Sequence, residues 1–152
     1  MQFVPPNPEF AVRVRDSFTR QAAIRLIGAR LAEIAPGRCS IELPVRADLT
    51  QQHGFQHAGV VATGLDTACG YAAFTLMSAD AGVLTIEFKV NLLAPARGPR
   101  LTFEGAVTKP GRTISVVDGR AWESAAGGNE RKLVATMTAT VMTITGRADV
   151  RH

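Results

Sequence analysis

A single carboxylate, Asp66, stands inside the otherwise uncharged stretch 51–76, QQHGFQHAGVVATGLDTACGYAAFTL. An ionised carboxylate among apolar side chains is costly unless it is paired, hydrogen-bonded or set in a cleft, so this one calls for a chemical reason. In a cleft it can take a proton from water or attack a carbonyl carbon itself. Upstream, His57, Ala58 and Gly59 open the apolar run. A helix beginning there leaves backbone N–H groups unpaired at the positive end of its dipole. The amides of Ala58 and Gly59 are therefore candidate oxyanion donors that need no special side chain.

Base and amides do not meet within one chain. Asp66 lies nine positions past His57, which is ~2.5 helical turns and ~13 Å of rise. If both serve one reaction, Asp66 comes from a facing subunit, and a dimer holds two equivalent sites. Blander roles stay open for each residue. Asp66 could be a structural carboxylate bonded to Thr63 or to a neighbouring chain. His57 could simply orient the turn through a backbone hydrogen bond, and His53 reads as a loop residue rather than a ligand.

The elements that hold these residues follow from periodicity. Ala58, Val61, Ala62, Leu65, Cys69, Ala72, Ala73 and Leu76 recur at helical spacing, and Val60, Thr63, Tyr71 and Phe74 cover the other side. A helix over 58–76 that is apolar nearly all round should be buried. Residues 1–8 read as an extended, proline-rich lead-in. Phe10, Val14, Phe18 and Ala22 predict an amphipathic helix over 9–23 packed on the domain edge. A strand over 27–34, a Pro36-Gly37 turn and a strand over 39–45 form a hairpin, and 47–56 is a polar loop.

Beyond the helix, Leu84, Ile86, Phe88, Val90 and Leu92 alternate with Thr85, Glu87, Lys89 and Asn91, the pattern of a half-buried strand. Further strands follow at 101–108, 113–124 and 133–141, divided by breaks at 94–100, 109–112 and 125–131. Ile114 and Val116 share a face, and Gly119 and Trp122 suggest a bulge or an edge. Residues 146–152 read as a charged, frayed tail. Short connections imply antiparallel neighbours. The sum is α+β: an antiparallel sheet wrapped around one long central helix, a single domain over residues 1–152.

Composition narrows the function. With 17 basic and 13 acidic residues the net charge is only +4, and the basic residues are too dispersed for a nucleic-acid stripe. Cys39 and Cys69 fall in no metal or redox spacing, so reduced structural thiols are expected, with no metal. No apolar run follows a basic start, and Asp66 interrupts the only helix of near-membrane length. A soluble cytoplasmic protein without nucleic-acid or membrane partners is the expectation.

Three segments carry a family resemblance: H-A-G-V-V-A-T-x-L-D-T-A-x-G-Y-A-A at 57–73, T-I-E-F-K-V-N-L-L-A-P-A at 85–96, and K-P-G-R-T at 109–113. In this order they resemble the hotdog fold, and within it the PaaI-like acyl-CoA thioesterases, over about 26–144. Ala58 stands where the family usually has the first glycine of His-Gly-Gly. The resemblance implies that Asp66 is the nucleophile or general base on the thioester. It implies that the Ala58 N–H polarises the carbonyl, that Gln51 sits beside the carbonyl and leaving sulfur, and that Thr85 helps hold the attacking water. It further implies a hotdog homodimer, often doubled to a tetramer, with acyl-CoA bound along a subunit seam and no separate cofactor. CoA phosphates favour exposed Lys and Arg, for which Lys109, Arg112 and Arg97 are the candidates. A non-catalytic acyl-CoA-binding or sensor module is the competing reading.

Overall fold

The computed structural model describes residues 3–125 and 130–150. The elements are α1 (Phe10–Arg20), α2 (Ala22–Ile27), β1 (Arg30–Ala35), β2 (Arg38–Pro44), α3 (Ala58–Phe74), β3 (Gly82–Leu92), β4 (Arg100–Lys109), β5 (Ile114–Ser124) and β6 (Arg131–Ile144), with a 3-10 turn at Ala47–Leu49. All six strands form one antiparallel sheet in the order β1-β2-β4-β5-β6-β3. The sheet wraps α3, which packs against β2, β3, β4, β5 and β6.

Glycine lets the helix come close. A Cβ on Gly105 of β4 would lie 2.4 Å from the Ala68 carbonyl oxygen, and one on Gly119 of β5 would lie 2.9 Å from Cys69 Sγ. Backbone of α3 therefore rests almost on backbone of β4. Gly105→Ala should destabilise the fold by about 3 kcal/mol or more, because the obstruction is main chain rather than a side chain that can swing away. Urea unfolding against wild type measures it, and an unchanged midpoint would contradict this packing.

The same packing decides β5. Its buried residues are Ser115, Val117, Gly119, Ala121 and Ser124, while Ile114 is exposed and Val116 half-buried. The small inward face makes room for Leu65 and Cys69, so the apolar Ile114/Val116 face points outward. The expected bulge exists between Ala121 and Trp122, but β5 is an interior strand and not an edge.

The expected single helix over 9–23 is two. The chain breaks at Gln21, and α2 then ends on Gly28, whose φ of 78° supplies the left-handed C-cap. That moves the start of β1 from 27 to Arg30, since 24–27 spends its apolar residues on helix. α1 does pack on the domain edge, burying Val14 and Phe18. Ser17 Oγ and Gln21 Nε2 each lie 3.0 Å from the Tyr71 hydroxyl. Arg13 donates to the Ser78 carbonyl at 2.6 Å and to that of Ala81, and stacks 3.9 Å over Phe74. Burial lowers the Arg13 pKa, while nearby Asp80 acts the other way.

Two expectations about β3 fail together. β3 pairs with β6, not with β4, so residues 94–100 cross over rather than turn back. As an edge strand it is also open to solvent: Leu84, Ile86, Phe88 and Leu92 are 46%, 52%, 44% and 54% exposed. Alternation correctly marks a strand there, but its apolar residues are left open by the other described residues.

At the ends, Phe3 packs by Gly37 and Asn7 is buried. Most of the glycine-rich turn expected at 125–131, and the outermost residues of the lead-in and tail, lie outside the described residues.

Candidate active site

α3 is not buried all round. Gly59 is exposed, and Ala62, Thr63, Asp66 and Gly70 are half-buried, forming an open stripe along one side. Asp66 is thus not the enclosed carboxylate its neighbours suggest. Its partner is Thr85 of β3, whose hydroxyl donates to Oδ1 at 2.7 Å, leaving Oδ2 without an intramolecular donor among the described residues. Thr63 bonds the Gly59 carbonyl instead, at 2.8 Å. Asp66 and Thr85 share a shallow cavity of about 260 Å³ with Gln21, Thr67, Gly70 and Tyr71.

The start of α3 is a second locus. His57 is the N-cap, its backbone extended at φ −64° and ψ 133°. Its Nδ1 accepts the Gly59 N–H at 2.9 Å, so the neutral ring carries its proton on Nε2. Gly59 is therefore occupied as a donor, leaving Ala58. Val60 and Val61 both donate to the His57 carbonyl, and among the described residues nothing accepts from the Ala58 N–H. Positive φ occurs only at Gly28, Gly37, Gly54 and Gly146 among the described residues, so the Ala58 backbone is unstrained.

Ala58 lines a cavity of about 360 Å³ with Gln51, Phe55, Gln56, Val61 and the apolar residues of 92–96. Gln51 spends its side-chain carbonyl on the His53 N–H, which leaves the amide NH₂ for other partners. Arg97 is a loop tie: it donates to the His53 carbonyl at 3.0 Å and stacks 3.9 Å over Phe55. Gln56 did not stand out in the sequence. It is 6% exposed, donates through Nε2 to the Leu49 carbonyl at 2.7 Å, and its buried Oε1 has no partner among the described residues. A glutamine wedged between Phe55 and His57, just before an apolar helix, was the only available signal.

The chain keeps the two loci apart. Thr85 borders the first cavity and Leu92 the second; the seven residue steps of strand from one to the other span ~23 Å. Lys109 and Arg112 are exposed at the β4–β5 turn, where β5 begins beside Met142 and thus at the Thr85 end of the sheet. Arg97 lies at the other end, beside Ala96, which bonds Gln56. The three candidate phosphate-binding residues do not converge within one chain.

The cysteines are unbridged and buried. Burial pushes the Cys39 thiol up to about 12 and raises that of Cys69 further, an effect nearby Asp66 and Asp118 reinforce. Neither can supply a thiolate near neutral pH. Among the described residues no three His, Cys, Asp or Glu side chains gather as a metal site requires, and no helix is long and apolar enough to cross a membrane.

Known proteins match this chain in sequence and fold. The model of the thioesterase superfamily matches residues 53–126. A thioesterase family protein of Silicibacter pomeroyi is 52% identical, with a TM-score of 0.87, over 90% of this chain and 99% of that one. The E. coli PaaI protein, from the phenylacetic acid degradation operon, shares the fold at a TM-score of 0.81 and 19% identity, over 91% of this chain and 95% of that one. A Saccharolobus solfataricus protein provisionally named an esterase is 31% identical over 94 residues, 62% of this chain and 66% of its own length. The match thus spans just under two thirds of that curated relative. The chain belongs to the thioesterase superfamily and has its hotdog fold, a sheet rolled around one helix.

Proposed function

We propose that this protein hydrolyses acyl-CoA thioesters to free acid and CoA, in a site completed by two copies of the chain. One observation carries the reading: the Asp66–Thr85 pair and the unpaired Ala58 amide occupy separate cavities. Each cavity takes part of its lining from the open apolar strand β3. Antiparallel pairing of β3 with its copy covers Leu84, Ile86 and Phe88 and brings the Asp66 end of one chain to the Ala58 end of the other. The open stripe on α3 then faces its counterpart, and Lys109 and Arg112 of one subunit approach Arg97 of the other. These cations are suited to the CoA phosphates.

The chemistry follows from the groups present. Thr85 orients the Asp66 carboxylate, which removes a proton from water as the oxygen attacks the thioester carbon. Alternatively, Asp66 attacks that carbon itself and the resulting anhydride is hydrolysed. In either course the carbonyl oxygen gains charge and is held by the Ala58 N–H at the helix N-terminus. The C–S bond then breaks. In the first course the CoA thiolate takes up the proton that Asp66 removed from water. In the second it leaves as the anhydride forms, and takes up the proton released when water opens that anhydride. The Gln51 amide is a further donor beside the carbonyl, and His57 acts by fixing the helix start. Cytoplasmic location and doubling of the dimer belong to the same reading.

The test is release of free thiol from phenylacetyl-CoA and a series of fatty acyl-CoAs by the wild-type protein. Turnover is expected for part of the series. Tight binding of these thioesters without thiol release would replace the enzyme by a binding module.

A further inference from the structure

α3 contains three glycines, and close neighbours account for two of them. A Cβ on Gly64 would lie 2.3 Å from the Phe103 ring, and one on Gly59 would lie 3.1 Å from His57 Nδ1. Gly70 has no such neighbour. It lies within the helix, its φ is not positive, and a Cβ built on it meets nothing within 4 Å among the described residues. Glycine inside a helix is destabilising relative to alanine, so this position gives up stability without a steric or backbone reason. What it leaves open is cavity. Half-buried Gly70 lines the space of about 260 Å³ that also holds Asp66 and Thr85, with Tyr71, Val83 and Leu84 as its apolar wall. Gln21, held by its 3.0 Å bond to the Tyr71 hydroxyl, lines the same space from the junction of α1 and α2. Gly70 stands four residues past Asp66, about one helical turn and ~6 Å further along the axis, so the two share a face.

We propose that the space left by the missing side chain of Gly70 receives the acyl group of the thioester, so that this residue sets how much bulk is accepted close to the reacting carbon. The inference rests on the proposed thioester hydrolysis and deepens it. An Asp66 oxygen, or a water that it holds, must come within about 3–3.5 Å of the thioester carbon. A substrate placed there reaches Gly70, one turn on, with whatever it carries a few bonds from that carbon. None of the residues lining this cavity is cationic, and Val83, Leu84 and the Tyr71 ring present carbon to it. Hydrocarbon fits such a wall better than the amide-bearing pantetheine arm or the CoA phosphates. The substrate class is therefore acyl-CoA with an aryl or branched aliphatic group near the thioester. A side chain at position 70 would occupy the space that such a group needs and leave a two-carbon acyl group untouched.

The experiment compares wild type with Gly70→Ala and Gly70→Leu. kcat/KM is measured for acetyl-, butanoyl-, isovaleryl- and phenylacetyl-CoA. Affinities are measured for S-acetonyl-CoA and S-phenacyl-CoA, non-hydrolysable thioethers of small and large acyl size. Gly70→Leu is expected to lower kcat/KM for phenylacetyl-CoA relative to the smallest acyl group accepted by about tenfold or more, and to weaken the phenacyl thioether but not the acetonyl one. Gly70→Ala should show a smaller shift in the same direction and a raised melting temperature, because a helical glycine is replaced where nothing obstructs a methyl group. A lowered melting temperature overturns the inference. If Gly70 instead serves close approach of the partner's α3, Gly70→Leu splits the dimer in size-exclusion chromatography with light scattering and all substrates suffer alike. If the pantetheine arm crosses Gly70, the dimer persists but both thioethers weaken equally. Either uniform loss, or a Gly70→Leu variant indistinguishable from wild type, overturns the inference while leaving hydrolysis standing. Wild-type protein that neither hydrolyses nor binds any of these ligands overturns both.

Discussion

Ala58→Pro is expected to cut kcat by ~10²–10³ while the melting temperature stays within a degree or two of wild type. Few substitutions can remove a backbone donor cleanly, and this position is one where it is possible. Ala58 is the first residue of α3, preceded by an N-cap in the extended conformation. Proline is favoured at the first helical position because the N–H it lacks has no intrahelical partner anyway. The extended His57 backbone is also what proline requires of its predecessor. The substitution thus deletes the one N–H at this helix start that has no acceptor and leaves the His57–Gly59 bond in place. The expected loss is that of a single oxyanion donor. Steady-state thiol release and a thermal melt on the same preparation provide the check. A variant with full activity would remove Ala58 from the reaction.

Asp66→Asn is expected to lower kcat by ~10²–10⁴, the contribution typical of a positioned base. Asparagine keeps the shape and can still accept from Thr85, so the proposed dimer and the 2.7 Å contact should persist. The more informative result comes from mixing. If each site takes Ala58 from one chain and Asp66 from the other, a hybrid of Asp66→Asn with Ala58→Pro holds one intact site and one doubly damaged site. Random reassociation of two nearly inactive preparations then restores about a quarter of wild-type activity, since half the dimers are hybrids with one good site of two. Sites contained within single chains would show no recovery. Denaturation and refolding of the variants, together and apart, distinguishes the two.

Much of this was legible beforehand. Small residues at helical spacing located α3 to within two residues of its end, because glycine and alanine faces are what a tightly wrapped sheet demands. Clean alternation located β2, β4 and β6. Less legible was anything fixed by a contact remote in sequence. The break at Gln21 reflects two short helices that share Tyr71 and the core, and no proline or glycine announces it. The β3–β6 pairing is a crossover that local turn chemistry cannot register. Periodicity placed Leu84, Ile86 and Phe88 on one face, whereas a register shift between Thr85 and Glu87 breaks that face and all three are exposed.

Within the site, Asp66 stood out because one charge in an apolar run is conspicuous, yet its partner Thr85 lies nineteen residues on, in another element. The separation of Asp66 from the helix start needed only the rise of a helix. The occupation of the Gly59 amide by His57, and the stranded Gln56 oxygen, depend on rotamers that one-dimensional patterns do not encode.

The exposed edge of β3 has a consequence for dosage. If half of every reaction centre resides on each of two molecules, a dilute chain is idle however well it is folded. Once most of the protein is dissociated, halving its concentration quarters the output, so turnover in a sparsely expressing cell would rise with the square of expression rather than in proportion to it.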